Sequence, residues 1–176
     1  MNLRPFEGRE PRLGKRVFVD PAAVVIGDVE LGDDCSVWPG TVIRGDIHHI
    51  RIGARTNVQD NSTLHVTHAS EYTAPEGYPL HIGEEVTIGH GAIVHACTVG
   101  NRCLIGMGSI VLDGAVLDDE VLLGAGSLVA HGKQLEGGYL WLGRPARRSR
   151  PLTQRERDYL RYSADHYVRL KDRFLA

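Results

Sequence analysis

Nine histidines stand among the 176 residues of this chain. Two of them, His90 and His95, lie five apart in "IGHGAIVHACTVG", and His65 closes the stretch "NVQDNSTLH". Imidazoles that converge can hold a divalent metal or pass protons near neutral pH. A spacing of five, however, suits neither a helix face, where i and i+4 coincide, nor a strand face, where i and i+2 do. If these residues serve one site, a longer repeat must bring them together.

That repeat has a period of six. Aliphatic residues recur at Val19, Val25, Leu31, Val37 and Ile43, then at Ile52, Val58 and Leu64. They resume at Ile82, Ile88 and Val94, and again at Val99, Ile105, Val111, Leu117, Leu123 and Val129, making 17 hexads. The fifth positions are small or β-branched: Ala23, Val29, Cys35, Thr41, Thr56, Ser62, Val86, Ala92, Thr98, Ser109, Ala115, Val121 and Ser127. An amphipathic helix repeats near 3.6 and a coiled coil at seven. A period of six fits an all-β solenoid, with one short strand per hexad, three hexads per coil and glycine or asparagine at the corners. The pattern resembles the hexapeptide-repeat, left-handed β-helix family. That resemblance implies the left hand, against the general preference for right-handed crossovers.

The register places the histidines. His65 and His95 both follow a first-position aliphatic, and they are 30 residues apart. One coil takes 18 residues, and the remaining 12 fit an insert, "VTHASEYTAPEGYPLH" at 66–81. The two rings therefore belong on one prism face, one coil apart, at the spacing of about 4.8 Å between adjacent strands. His90 occupies the third slot of its hexad and faces outward near another corner. A threefold assembly brings a neighbour's His90 to the pair. Three neutral imidazoles with an open position form a catalytic zinc arrangement, in which coordinated water ionises near pH 7. Three imidazoles suit Zn²⁺, with Fe²⁺ or Co²⁺ as alternatives.

The stretches "VIRGDIHHIRIG", "NVQDNSTLH" and "IGHGAIVHAC", with "ADHYVRLKDRF" near the end, closely resemble the γ-class carbonic anhydrase family over nearly the whole chain. The resemblance implies reversible hydration of CO₂ to bicarbonate by a zinc-bound hydroxide in a homotrimer. His65, His90 and His95 match its metal ligands, two from one subunit and one from its neighbour. Arg44 and Asp46 match an intersubunit ion pair, with Asp60 completing that network. Gln59 matches the residue that orients metal-bound water, Asn57 a supporting polar residue, and Tyr167 a site tyrosine. The family prototype carries an acidic residue where Ile47 stands, and a proton-shuttling glutamate in a loop to which neither Glu71 nor Glu76 aligns. His48, His49, His68 and His81 match no ligand, although His68 and His81 are candidate proton relays.

A formal charge of −2 argues against nucleic-acid or anionic-membrane partners. No apolar run reaches the roughly 20 residues of a membrane span, and the start lacks a signal-peptide core, so a cytoplasmic location is expected. Cys35, Cys97 and Cys103 read as small buried residues. The solenoid domain is expected over 1–151, with hexads from about 19 to 134 in about six coils. Residues 152–176 follow as an amphipathic helix packed on it. Thr153 and Glu156 make its capping box, and Tyr159, Leu160, Tyr167, Leu170 and Phe174 supply its apolar spacing. Two other functions fit such a solenoid: an acyl- or acetyltransferase using coenzyme A, and a non-catalytic, metal-stabilised trimeric binding module.

Overall fold

The computed structural model describes residues 1–176. Short parallel strands stack into a three-sided left-handed prism, closed along one side by a single helix, Gln154–Leu175. The first face runs through Phe18–Val19, Ser36–Val37, Asn57–Val58, Thr87–Ile88, Leu104–Ile105, Leu122–Leu123 and Tyr139–Leu142. The second face includes Thr63–His65, Ile93–His95, Ile110–Val111 and Leu128–Val129. The third includes Leu80–Ile82, Thr98–Val99, Val116–Leu117 and Gln134–Leu135. Two long strands, Val24–Leu31 and Val42–Ile52, bend around the corner between the second and third faces.

All 17 first-position aliphatics lie in one core of 33 buried residues. Stacking works because no coil can bury its inward row alone; each roofs the next. The prism is deeper than about six coils, since seven parallel strands stack on the first face. Asn2–Arg4 and Arg12–Leu13 add to its N-terminal end, and Leu135 and Trp141 extend the buried row beyond the last hexad.

One fifth position differs from expectation. Val94 and Val99 are five apart rather than six, so Thr98 is a strand residue with an exposed side chain, and buried Cys97 fills the corner. The irregular insert also ends sooner than position 81, because Leu80 is fully buried and begins a strand. All three cysteines are free and buried. Burial pushes the thiols of Cys35 and Cys103 up to about 12, which makes them inert packing groups.

The helix lies against the first face. Thr153 caps it and Glu156 returns the bond to the Thr153 amide. Its buried residues are Leu160, Ser163, Ala164 and Lys171, whereas Tyr159 is exposed. Lys171, a charged residue outside the expected apolar set, is buried there too; its ammonium is held 2.8 Å from Asp34 and 2.6 Å from Asp172. A buried lysine so paired is tolerated because both carboxylates compensate its desolvation. Near it, Phe174 and Tyr167 meet Trp38 edge-on, and Phe18 joins the cluster.

Candidate metal centre

His65 and His95 are direct partners in the parallel ladder between the second-face strands. His65 Nδ1 and His95 Nε2 lie 3.1 Å apart. Two imidazole nitrogens bound at about 2.0–2.1 Å to one tetrahedral zinc are separated by roughly 3.3–3.4 Å. The remaining nitrogen of each ring meets a carboxylate, His65 Nε2 with Asp46 Oδ1 at 3.0 Å and His95 Nδ1 with Asp113 Oδ1 at 2.6 Å. Such outer partners set the tautomer and aim of a ligating imidazole. The donor set therefore fits a borderline divalent ion at this pair.

Electrostatics support that fit. Burial lowers the pKa of His65 against the opposing pull of Asp46, and neutral imidazole is the form that binds metal. Burial disfavours ionisation of Asp46, but hydrogen bonds from Arg44, His65 and the Ile47 amide outweigh it and hold the pKa below the ordinary value. Asp113 behaves alike: burial opposes its charge, and bonds from Thr67 and His95 prevail. Arg44 pairs with Asp46 within the chain.

The other site residues gather elsewhere, between the first face and the helix. His90 is exposed at a corner, with Nδ1 2.8 Å from Asp60 Oδ2. Gln59, His90 and Tyr167 line one cavity of about 440 Å³ with Thr87, Ser163 and Met107. Asn57 is a buried strand residue, not a turn former: its Oδ1 accepts from Gln59 Nε2 at 3.1 Å, and its Nδ2 donates to Thr87 Oγ1 at 3.0 Å. Thr87 in turn meets Ser163 of the helix at 2.9 Å. With its amide nitrogen tied to Asn57, Gln59 keeps its oxygen free for the cavity. Burial first, then Asp60 and Tyr159, raises the pKa of Tyr167 and keeps its phenol protonated.

The candidate residues thus fall into two separate groups. Arg44, Asp46, His65 and His95 form one; Asn57, Gln59, Asp60, His90 and Tyr167 form the other. No three His, Cys, Asp or Glu side chains form a metal-holding group within the single chain. Asp60 bonds His90 and stands apart from the Arg44–Asp46 pair. Sequence reasoning passed over Asp113 and Thr67. Asp113 lies 18 residues after His95, one coil above it, so the period itself was the usable signal.

Residues 10–45 match the bacterial transferase hexapeptide (six repeats) family. Protein YrdA of Escherichia coli K12 is 57% identical over 98% of this chain and 94% of its own length. Gamma carbonic anhydrase 2, mitochondrial, of Arabidopsis thaliana is 42% identical over 92% of this chain, which spans 58% of that protein. A solved hexapeptide transferase family protein from Anaplasma phagocytophilum superposes with a TM-score of 0.89 at 43% identity, over 97% of this chain and 96% of the other. A putative acetyltransferase of Bacillus cereus superposes with a TM-score of 0.90 at 38% identity, over 98% and 95%. By its solenoid and these likenesses, the chain belongs to the hexapeptide-repeat, left-handed β-helix family that includes protein YrdA.

Proposed function

We propose that this protein is a metal-dependent carbonic anhydrase-like lyase, hydrating CO₂ reversibly to bicarbonate at sites shared between the subunits of a homotrimer. The observation that carries the reading is the division of the donor set into two half-sites. His65 and His95 offer two converging nitrogens, and His90, exposed at a corner, is free to reach a neighbour's pair. A divalent ion held by these three, Zn²⁺ in the first place and Fe²⁺ or Co²⁺ as alternatives, supplies Lewis acidity that makes hydroxide available near neutral pH.

The chain's own residues do the rest. Asp46 and Asp113 orient the two ligating rings. Gln59, braced by Asn57, accepts a hydrogen bond from the attacking oxygen and aims it at the carbon of CO₂. Tyr167, held protonated, donates to a substrate oxygen from the same cavity, and Arg44 offsets the charge of Asp46 and of departing bicarbonate. Each turnover releases one proton, which must reach buffer. His68 shares a small cavity with Asp46 and Ile47, and Glu7 lines it too. We assign that cavity the exit route, in place of the glutamates missing around Ile47. Three free cysteines suit a reducing compartment, and we place the reaction in the cytoplasm. No helix is long and apolar enough to cross a membrane.

The similarity to a putative acetyltransferase favours a second reading, acyl transfer, in which one histidine acts as general base without metal. Stopped-flow CO₂ hydration on protein purified with and without air, with metal measured on each sample, separates the two. Hydration that scales with bound metal supports the lyase. Acetyl transfer by metal-free protein, with no hydration, overturns it, and full metal loading with neither activity leaves a trimeric binding module.

A further inference from the structure

A second histidine pair stands on the far side of the corner that carries Asp46. Where Val24–Leu31 and Val42–Ile52 pair, Gly27 faces Gly45 and Val29 faces Ile50, so Asp46–His49 bulge opposite the single residue Asp28. The crossing is tight: Gly27 has φ +76°, and a Cβ there would come within 2.3 Å of the Gly45 carbonyl oxygen. Bulges of this kind re-aim side chains at a sheet corner. Asp46, at the start of the bulge, turns to His65. His49, at its end, meets His81 of the third face, with the two Nε2 atoms 3.0 Å apart.

The geometry repeats that of the first pair. Ring centroids are 5.1 Å apart with an interplanar angle of 63° for His49 and His81, against 5.2 Å and 59° for His65 and His95. His48 packs on His49, and its Nδ1 accepts the His49 backbone N–H at 2.8 Å. That bond leaves the His48 proton on Nε2, so His48 steadies the pair without joining it. His81 is exposed, which opens the pair to solvent.

We infer that His49 and His81 form a second metal site, binding an imidazole-preferring divalent ion such as Cu²⁺, Ni²⁺ or Zn²⁺ through their Nε2 atoms, with water or a small anion in the remaining positions. Arg51, the ladder partner of His81, sets its limits. Its guanidinium is engaged by Asp28 at 2.8 Å and Glu30 at 3.3 Å, so its charge is partly offset. What is left weakens a dication and favours an anion beside it. This site lacks the carboxylates that back His65 and His95, and it binds more weakly than they do. Copper is the appropriate probe, since it tops the affinity order for nitrogen sites.

The test removes the first pair and counts what remains. The full chain carrying His65→Ala and His95→Ala, stripped with chelator, is titrated with Cu²⁺ and followed by electron paramagnetic resonance. One equivalent per chain is expected, coupled to two nitrogens, and lost on adding either His49→Ala or His81→Ala. No copper uptake by the double variant, or uptake unchanged by both added substitutions, overturns the site. Should the double variant fail to fold, unaltered protein and its His81→Ala form give the same reading as a difference of one equivalent. Equal uptake by those two overturns the proposal as well.

Discussion

His65 and His95 occupy equivalent positions one coil apart, their facing ring nitrogens 3.1 Å from each other and their far nitrogens on Asp46 and Asp113. Neither residue of the pair reaches across the prism to His90. A coil-to-coil ladder is a rigid ruler: adjacent strands are fixed near 4.8 Å, so the rings are preorganised before any ion arrives.

The first prediction concerns the outer carboxylate. Asp113→Ala removes the acceptor of His95 Nδ1 and leaves every first-position aliphatic in place. Metal affinity should fall about 10–100-fold, with the circular dichroism of the solenoid unchanged. Equilibrium dialysis measures it. Unaltered affinity would show that Asp113 does not hold the ring.

A second prediction separates aiming from folding in the other half-site. Gln59→Ala should lower kcat and kcat/KM together, by about 10–150-fold if it removes one hydrogen bond to a charged oxygen worth about 1.5–3 kcal/mol. Asn57→Ala should lower both parameters through Gln59, and also lower stability by about 1–3 kcal/mol, because it strips partners from buried groups. Steady-state kinetics and chemical denaturation, run on both variants, check the pair. A Gln59→Ala enzyme with only KM altered would contradict the assigned role.

Proton release gives a third. With no aligned shuttle glutamate, kcat should be low in weak buffer and rise with concentrated imidazole, while kcat/KM, set by attack on CO₂, stays nearly constant. His68→Ala and Glu7→Ala should each deepen that buffer dependence if the cavity beside Asp46 carries the proton. A kcat indifferent to buffer in the unaltered protein refutes this route.

A fourth follows from the helix cap. The Arg150 side chain, then the Thr153 amide and hydroxyl, hold the Glu156 carboxyl at about 2, well below its ordinary 4.5. A carboxyl depressed in the folded state stabilises it fully above the unfolded value, and that stabilisation fades as pH falls from about 4.5 towards 2. Thermal unfolding across that window should show a loss that is smaller in Glu156→Gln, the other depressed carboxylates supplying the remainder. Parallel curves for both proteins would mean the cap contributes nothing pH-dependent.

Much of this was legible in the residue order, and the exceptions share a cause. A period of six is strict because every inward aliphatic must meet the one below it, so Val19 through Val129 announce the core. The same arithmetic, applied across the insert, puts His65 opposite His95. Thr98 was misassigned because one hexad is short, and a one-residue slip turns a corner residue into an outward one. The buried face of the helix was harder still. Lys171 reads as solvent-facing until Asp34 is seen beside it, and that partner comes from the second coil, far from the helix in sequence. Asp113 was findable at one coil beyond His95, but a lone aspartate in a loop carries no signal until the ring it holds is known.

Complementation between subunits tests the shared centre most directly. His90→Ala spoils one half-site and His95→Ala the other, so each variant alone should hold no metal at the shared centre and hydrate no CO₂. Co-expressed and isolated as mixed trimers, an intact His65–His95 pair meets an intact His90 at one interface in each trimer, about a third of the total. Metal content and hydration should return together to about that fraction. Mixed trimers as empty and inactive as their parents, or a His90→Ala protein that keeps full metal and full rate by itself, would contradict a site built from two subunits.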